Sequence, residues 1–252
     1  MNAPLKPLKW YRDLADKKSR LSTGAFLLEG DKAIRQVADN QPESILEVLS
    51  TGEPPPYLSK VPARHLNESQ LEYISVARTP QGLAAVIRIP EDTYSNKLPE
   101  KPGDKILLLE DVQDPGNAGT LIRTAAAFGF SGVILSEKCA DPFSPKVSQS
   151  SAGSVMSLWI RATESYVNLV KELQKSGYNL IAAELEASDN PDTLQRKKTV
   201  LVLGNEGAGL SKALLKIADY RISIPIARKR AESLNVAVSG GILMYLSSKN
   251  RV

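Results

Sequence analysis

Short apolar segments alternate with longer helix-like segments along the carboxy-terminal part of the chain. Segments 105–109, 132–135, 179–183, 200–203 and 221–224 each have the length and apolar character of a buried strand. Segments 118–128, 165–176 and 236–248 have the length and spacing of helices. Strands that alternate with helices form a mostly parallel sheet with helices on both faces. We therefore predict an α/β fold with a mostly parallel sheet for residues 105–252.

A second, smaller α/β domain is predicted before this region. Strands are predicted at 26–30, 45–50 and 82–89, and helices at 31–39 and 65–75. Residues 90–104 are polar and rich in proline, which is typical of a linker. We divide the chain into an amino-terminal domain, 1–95, a linker, 96–104, and a carboxy-terminal domain, 105–252.

The composition is that of an ordinary globular protein, with 42% hydrophobic and 24% charged residues among 252. No apolar run reaches the roughly 20 residues that cross a bilayer. Residues 1–10 contain two prolines and lack the apolar core of a secretory signal, so we expect a cytoplasmic protein without a membrane segment. The single Cys139 has no Cys or His at metal-ligand spacing, so neither a disulfide nor a bound metal is expected.

The net charge of +4 favours a polyanionic partner without requiring one. Residues 1–100 hold 13 basic and 13 acidic side chains, and the rest of the chain holds 19 and 15. A basic stretch that includes Lys17, Lys18 and Arg20 follows Trp10 and Tyr11, and such a stretch can bind phosphates and stack a base. It is equally compatible with a solvated first helix whose Trp10 lies in the core.

Polar and glycine-rich residues follow two predicted strands that are consecutive along the chain. Residues 204–209, Gly-Asn-Glu-Gly-Ala-Gly, come directly after one strand, and residues 224–226 and 233–235 come after the next. Groups at such strand ends usually face a ligand. The glycines lack the G-x-G-x-x-G pattern of dinucleotide sites and the Gly-Lys-Ser/Thr ending of a P-loop. The sequence therefore predicts a different kind of ligand pocket.

Three segments resemble, in order, the motifs of the SpoU, or TrmH-type, RNA ribose 2′-O-methyltransferases. They are Asp-Pro-Gly-Asn-Ala-Gly-Thr-Leu-Ile-Arg-Thr-Ala-Ala-Ala-Phe-Gly at 114–129, Leu-Gly-Asn-Glu-Gly-Ala-Gly-Leu at 203–210, and Ile-Pro-Ile at 224–226 followed by Ser-Leu-Asn-Val at 233–236. The amino-terminal domain more loosely resembles the ribosomal-protein-like substrate-binding domain of many members. The resemblance implies a homodimer that binds S-adenosylmethionine and RNA, with a trefoil knot in the carboxy-terminal domain.

The resemblance also assigns roles to individual residues. It implies a site formed by five polar residues, Asn117, Arg123, Glu206, Ser233 and Asn235. It implies a cofactor pocket lined by small, amide and aliphatic residues, namely Leu203, Gly204, Asn205, Gly207, Ile224, Ile226 and Leu234.

The residue types suit this chemistry but leave alternatives open. A ribose 2′-hydroxyl is a poor nucleophile, so the site must orient it and help its proton leave. Arg123 can clamp a phosphate and stabilise the developing alkoxide, or lie on a helix surface. Glu206 can orient Arg123 or Asn235, meet the cationic substrate complex, or belong to a simple turn. Both Asn117 and Ser233 are also suitable helix caps.

Residues 227–232, Ala-Arg-Lys-Arg-Ala-Glu, are longer and more basic than the link that we associate with the family. We call them the basic segment. Its Arg228, Lys229 and Arg230 suit either a phosphate contact or a solvated loop. The predicted function is methylation of a ribose 2′-hydroxyl of ribosomal RNA, with transfer RNA as the alternative substrate and a noncatalytic RNA-binding factor as the alternative class.

Overall fold

The computed structural model describes residues 6–187 and 189–248. The chain forms two compact units, Met1–Glu91 with Phe143–Ser157, and Asp92–Pro142 with Leu158–Val252. The segment Phe143–Ser157 packs with the first unit, whereas the sequence-based division leaves it in the carboxy-terminal domain. One reason is an aromatic contact, because the rings of Phe26 and Phe143 lie 4.8 Å apart between centroids.

The strands, in chain order, are β1 Ala25–Glu29, β2 Ile45–Ser50, β3 Ala63–His65, β4 Leu83–Arg88, β5 Lys105–Leu109, β6 Gly132–Leu135, β7 Trp159–Ala162, β8 Asn179–Ala183, β9 Thr199–Leu203 and β10 Tyr220–Ile222. The α-helices are α1 Leu8–Asp13, α2 Lys17–Thr23, α3 Asp31–Asn40, α4 Glu68–Ile74, α5 Pro115–Ala127, α6 Pro145–Ser151, α7 Tyr166–Lys175, α8 Lys212–Ile217 and α9 Val236–Ser248. Short 3₁₀ helices lie at Pro42–Ser44, Pro56–Leu58, Ser154–Ser157 and Pro191–Gln195.

The first unit is built on a four-stranded sheet in the order β1-β4-β2-β3. β4 pairs antiparallel with β1 and β2, and β2 pairs parallel with β3. All five elements predicted here are present, although α4 begins at Glu68 rather than at residue 65. The reason is a capping box, in which the Asn67 side chain accepts from Gln70 N at 2.9 Å and the Gln70 side chain accepts from Asn67 N at 3.1 Å.

The structure corrects the predicted role of Arg20 in RNA binding. Arg20 is only 2% exposed, and its guanidinium donates hydrogen bonds to the main-chain oxygens of Leu14 at 3.0 Å and Ala15 at 2.7 Å. A side chain buried in this way holds the turn before α2 and does not reach a phosphate. Lys17 and Lys18 are exposed on the same helix, so their contact with RNA stays a prediction.

The second unit is built on a six-stranded sheet in the order β10-β8-β9-β5-β6-β7. Every neighbouring pair is parallel, which confirms the predicted α/β fold with a mostly parallel sheet. All five predicted strands are present, but the edge strand β7 was missed. Its buried Arg161 forms an ion pair with Asp92 and breaks the apolar pattern of the strand. The trefoil knot remains a prediction.

The parallel sheet brings the polar motifs to one edge. β5 and β9 are neighbours whose residues are all buried, and the segments that follow them therefore leave the sheet side by side. α5 begins at Pro115, three residues earlier than predicted, because the Asp114 side chain accepts from Asn117 N. α9 packs against α5 and β9, which brings its first turn to the same edge. None of the helices in the described ranges combines the length and the hydropathy that a membrane span requires.

Candidate active site

A cavity of about 780 Å³ opens at the carboxyl ends of β8, β9 and β10 in the second unit. Small-molecule sites in proteins typically enclose about 300–1,000 Å³. All seven residues predicted to contact a cofactor line it, namely Leu203, Gly204, Asn205, Gly207, Ile224, Ile226 and Leu234. Glu206, Ser233 and Asn235 also line it, whereas Asn117 and Arg123 lie outside the lining.

We call residues 204–211 the glycine loop, and residues 204–210 form one wall of this cavity. Asn205 and Gly209 exchange two main-chain hydrogen bonds of 3.0 Å, and the Asn205 side chain accepts from Gly207 N and Ala208 N at 2.9 Å each. A Cβ atom at Gly204 would lie 2.5 Å from the carbonyl carbon and oxygen of Gly209. The loop is therefore closed on itself, and only glycine fits at position 204.

One hydrogen-bonded chain joins residues from all three motifs. Asn117 Nδ2 donates to Glu206 Oε1 at 3.0 Å, and Asn235 Nδ2 donates to Asn117 Oδ1 at 3.0 Å. An ionised carboxylate only accepts hydrogen bonds, so Glu206 turns the amide NH₂ of Asn117 toward itself. The Asn117 oxygen is then left to accept from Asn235. We call this arrangement the Glu206–Asn117–Asn235 chain.

The two helix caps next to the site are not the ones considered from the sequence. Asp114 caps α5, since its carboxylate accepts from Asn117 N at 2.8 Å. Asn235 caps α9, since its Oδ1 accepts from Ala237 N at 2.8 Å and Val238 N at 3.3 Å. Asn117 is the third residue of α5 and Ser233 is an exposed residue of the cavity rim, so neither is a cap.

Arg123 is exposed on α5, six residues after Asn117. Its side chain makes no ion pair or hydrogen bond with any residue in the described part of the protein. The alternative in which Glu206 orients Arg123 is therefore wrong for this structure, because Glu206 accepts from Asn117 instead. The guanidinium is available to an external anion.

The basic segment borders the cavity between Ile226 and Ser233. Arg228 donates to Glu186 Oε1 at 2.5 Å and also to the main-chain oxygen of Leu185. Leu185 and Glu186 line the cavity, so Arg228 joins two parts of its rim. Lys229 and Arg230 are exposed, and their contact with RNA stays a prediction.

Two residues that directly follow β5, Glu110 and Asp111, were not predicted from the sequence as part of the site. Glu110 is 3% exposed and accepts from Tyr166 Oη at 2.8 Å and from Ser211 N at 2.7 Å. Asp111 has φ 56°, a left-handed conformation that is uncommon outside glycine. The available signal was a pair of acidic residues immediately after the apolar strand 105–109.

Other reactive groups lie apart from this chemistry. Burial raises the pKa of the Cys139 thiol, which keeps the thiol protonated and unreactive at neutral pH. No group of three or more His, Cys, Asp or Glu side chains in the described residues is arranged to hold a metal ion.

The sequence model of the SpoU rRNA Methylase family matches residues 104–245, more than half of the chain. The chain belongs to this family. It is 34% identical over 250 residues to the 23S rRNA (guanosine(2553)-2′-O)-methyltransferase RlmP of Bacillus subtilis, with 97% of this chain and 96% of that protein covered. The SpoU match spans the three ordered motifs, and the second and third of them line the cavity.

Two solved structures of methyltransferases are similar to this chain along its whole length. The AdoMet-bound rRNA methyltransferase from Sinorhizobium meliloti superposes with a TM-score of 0.84 at 28% identity, over 100% of this chain and 98% of that one. The SpoU methyltransferase AviRb from Streptomyces viridochromogenes, in complex with AdoMet, superposes with a TM-score of 0.83 at 25% identity and the same coverage.

The lining of the cavity suits S-adenosylmethionine, the ligand bound in both of these solved structures. Half-buried Ile224, Ile226 and Leu234 supply an apolar lining that suits the flat adenine ring. The main chain around Gly204 and Gly207 supplies N–H and C=O groups that can bond the polar edges of the cofactor. No acidic ribose-binding residue at dinucleotide spacing is needed in such a pocket.

Proposed function

We propose that this protein transfers a methyl group from S-adenosylmethionine to a ribose 2′-hydroxyl of large-subunit ribosomal RNA. The observation that carries the proposal is the Glu206–Asn117–Asn235 chain, which joins three sequence-distant motifs beside the cofactor cavity. The similar RlmP is named a 23S rRNA 2′-O-methyltransferase, which supports a ribosomal substrate and a ribose target.

The polar residues of the site have separate tasks in this reaction. The cofactor supplies the methyl group on a sulfonium centre. The Glu206–Asn117–Asn235 chain fixes polar groups at the rim of the cavity, and such preorganised groups orient the hydroxyl and lower the cost of reaching the transition state. Ser233 lies exposed on the same rim and is proposed to contact the ribose.

We assign Arg123 to the RNA substrate. Arginine side chains retain their proton in proteins, so Arg123 does not act as a general base. Its exposed guanidinium has no partner in the described residues and can clamp the neighbouring phosphate while it stabilises the developing alkoxide. The phosphate itself or a water molecule then accepts the proton of the 2′-hydroxyl.

We further propose that residues 1–95 bind RNA. Lys17 and Lys18 are exposed, and other cations of this region, Lys6 and Arg12 among them, already lie over aromatic rings. Lys6 Nζ is 3.5 Å from the centre of the Trp10 ring, and Arg12 Cζ is 4.8 Å from that of Tyr73. Cations beside partly exposed rings are typical of surfaces that bind phosphates and stack bases.

A homodimer is proposed from α9. Three large apolar side chains of this helix are exposed, Val238, Ile242 and Tyr245, and their spacing places them on one face. Such a face is stabilised when a second copy covers it. We expect sedimentation to give twice the mass of a single protomer. A ribosomal substrate supports a cytoplasmic location, which is part of the same proposal.

The test is methyl transfer from labelled S-adenosylmethionine to purified RNA from a strain that lacks the protein. We expect label in the 23S ribosomal RNA and none in transfer RNA. Label in transfer RNA alone would favour the alternative substrate. Binding of S-adenosylmethionine without transfer to any RNA would favour the noncatalytic factor, and fully methylated RNA from a strain with the protein is the control.

A further inference from the structure

Glu110 and Asp111 lie at the carboxyl end of β5, outside the lining of the cavity. Glu110 buries a carboxylate that is only 3% exposed, and Asp111 has the left-handed φ of 56°. Both features cost free energy, and both persist only where the surrounding structure fixes them. Their hydrogen bonds lead to the two ends of the glycine loop.

Glu110 holds the carboxyl end of the glycine loop. Its Oε2 accepts from the main-chain N–H of Ser211 at 2.7 Å, and its Oε1 accepts from the hydroxyl of Tyr166 at 2.8 Å. Burial, and then the hydrogen bond to Glu110, raise the pKa of Tyr166, so the phenol keeps its proton and continues to donate. Ser211 is also the cap of α8, where its side chain accepts from Leu214 N at 3.3 Å.

Asp111 holds the amino end of the same loop. Its main-chain oxygen accepts from Asn205 Nδ2 at 2.8 Å. Ser136 fixes the unusual conformation from the other side, since Ser136 Oγ donates to Asp111 Oδ1 at 2.6 Å and accepts from Asp111 N at 2.8 Å. The Asn205 side chain, held in this way, accepts the N–H groups of Gly207 and Ala208 at 2.9 Å each.

We propose that Glu110 and Asp111 are positioning residues for the cofactor: they hold the two ends of the glycine loop in the shape that binds S-adenosylmethionine. The inference rests on the proposed function, because it assigns the cofactor to this cavity. A loop with three glycines has many accessible conformations, so anchors at both ends reduce the entropy that is lost when the ligand binds. Neither residue touches the cavity, so both act through the loop.

The first test isolates the hydrogen bond between Ser211 N and Glu110. Ser211→Ala removes the cap of α8 but keeps the N–H, whereas Ser211→Pro removes both, and φ −66° at Ser211 is compatible with proline. We expect Ser211→Pro to bind S-adenosylmethionine about ten-fold more weakly than Ser211→Ala in calorimetric titrations of the full-length protein.

The second test isolates the backbone conformation of Asp111, and it also serves if Ser211→Pro does not fold. Asp111→Gly and Asp111→Val both remove the carboxylate, but only glycine adopts a positive φ without cost. We expect the valine variant to bind S-adenosylmethionine about ten-fold more weakly than the glycine variant. In both pairs, the variant that binds S-adenosylmethionine more weakly should have the higher KM for this cofactor. Its KM for RNA and its kcat at saturating cofactor should equal those of the other variant.

Thermal unfolding of each variant separates positioning from general stability. Equal cofactor affinities within both pairs, with only the unfolding temperatures changed, would overturn the positioning role. Failure of the wild-type protein itself to bind S-adenosylmethionine would instead contradict the proposed function, so the two failures are distinguishable.

Discussion

The glycine loop and the basic segment border the same cavity, but the protein holds them differently. The glycine loop is closed by the mutual bonds of Asn205 and Gly209 and is tied at both ends to residues that follow β5. Among the described residues, the basic segment is tied by local turn bonds and by Arg228, whose partner Glu186 is itself exposed. The first arrangement suits a small ligand of fixed shape, and the second suits a large anion that supplies many contacts of its own.

The largest effect is expected from Gly204→Ala in the glycine loop. The new Cβ would lie 2.5 Å from the main chain of Gly209, so the loop must move. A clash of this size costs about 3 kcal/mol, which corresponds to about 100-fold weaker binding of S-adenosylmethionine. Gly52→Ala, where the structure leaves open space around the added Cβ, is the control. A calorimetric affinity equal to that of the wild type would show that the loop is not rigid.

Arg123→Ala should slow methyl transfer about 100-fold without changing the affinity for S-adenosylmethionine. The reason is that Arg123 is exposed and faces no partner in the described residues, so it contributes to neither the cavity nor the core. Arg123→Lys should recover part of the rate, since lysine keeps the charge but not the bidentate geometry. Single-turnover kinetics on RNA measures the rates, and full turnover by Arg123→Ala would refute the role assigned to this side chain.

Glu206→Gln tests the carboxylate at the start of the Glu206–Asn117–Asn235 chain. Glutamine keeps the size of the side chain but removes the charge that orients the Asn117 amide. Loss of a charge-assisted hydrogen bond predicts a fall of about ten-fold in kcat/KM for RNA. Glu172→Gln, on the exposed face of α7, removes a charge away from the site and should have no effect. Equal loss in both variants would point to net charge rather than to the hydrogen-bonded arrangement.

The smallest effect is expected in the basic segment. Arg228→Ala should raise the KM for RNA about two-fold to three-fold, because an exposed ion pair with Glu186 contributes little and one phosphate contact is weak at physiological salt. Arg228→Ala should also make the affinity for RNA depend less steeply on salt concentration. Lys171→Ala, on the exposed face of α7, removes a charge elsewhere and is the control. A loss of S-adenosylmethionine affinity would instead make Arg228 a structural part of the cavity rim.

The sequence predicted the parallel sheet well because its strands are short, apolar and separated by helices. β5, β6 and β8 have the predicted bounds, since each is an apolar run with a clear turn at both ends. β7 was missed because a buried arginine interrupts it, and α2, β3, α6 and α8 were missed because elements of three to seven residues carry little periodic signal. The first helix, α1, was one of two alternatives, and its Trp10 packs against the core. Tertiary contacts, rather than local pattern, fix such elements.

The candidate site was predicted as a set of residues but not as an arrangement. The motifs named Asn117, Glu206 and Asn235, yet only the fold places Asn117 between the other two. Arg20 has the sequence context of a surface cation, and its burial depends on carbonyl groups that the local sequence does not reveal. Glu110 was missed for the same reason, because its partners lie 56 and 101 residues away in the sequence.

The most direct test of the central claim is the position of the transferred methyl group on the nucleotide. Ribosomal RNA methylated by the protein with labelled S-adenosylmethionine is hydrolysed in alkali, and a 2′-O-methyl group blocks cleavage of the next phosphodiester. We predict that the label appears in an alkali-resistant dinucleotide. Label in a mononucleotide would mean methylation of a base and would contradict ribose 2′-O-methylation by this site.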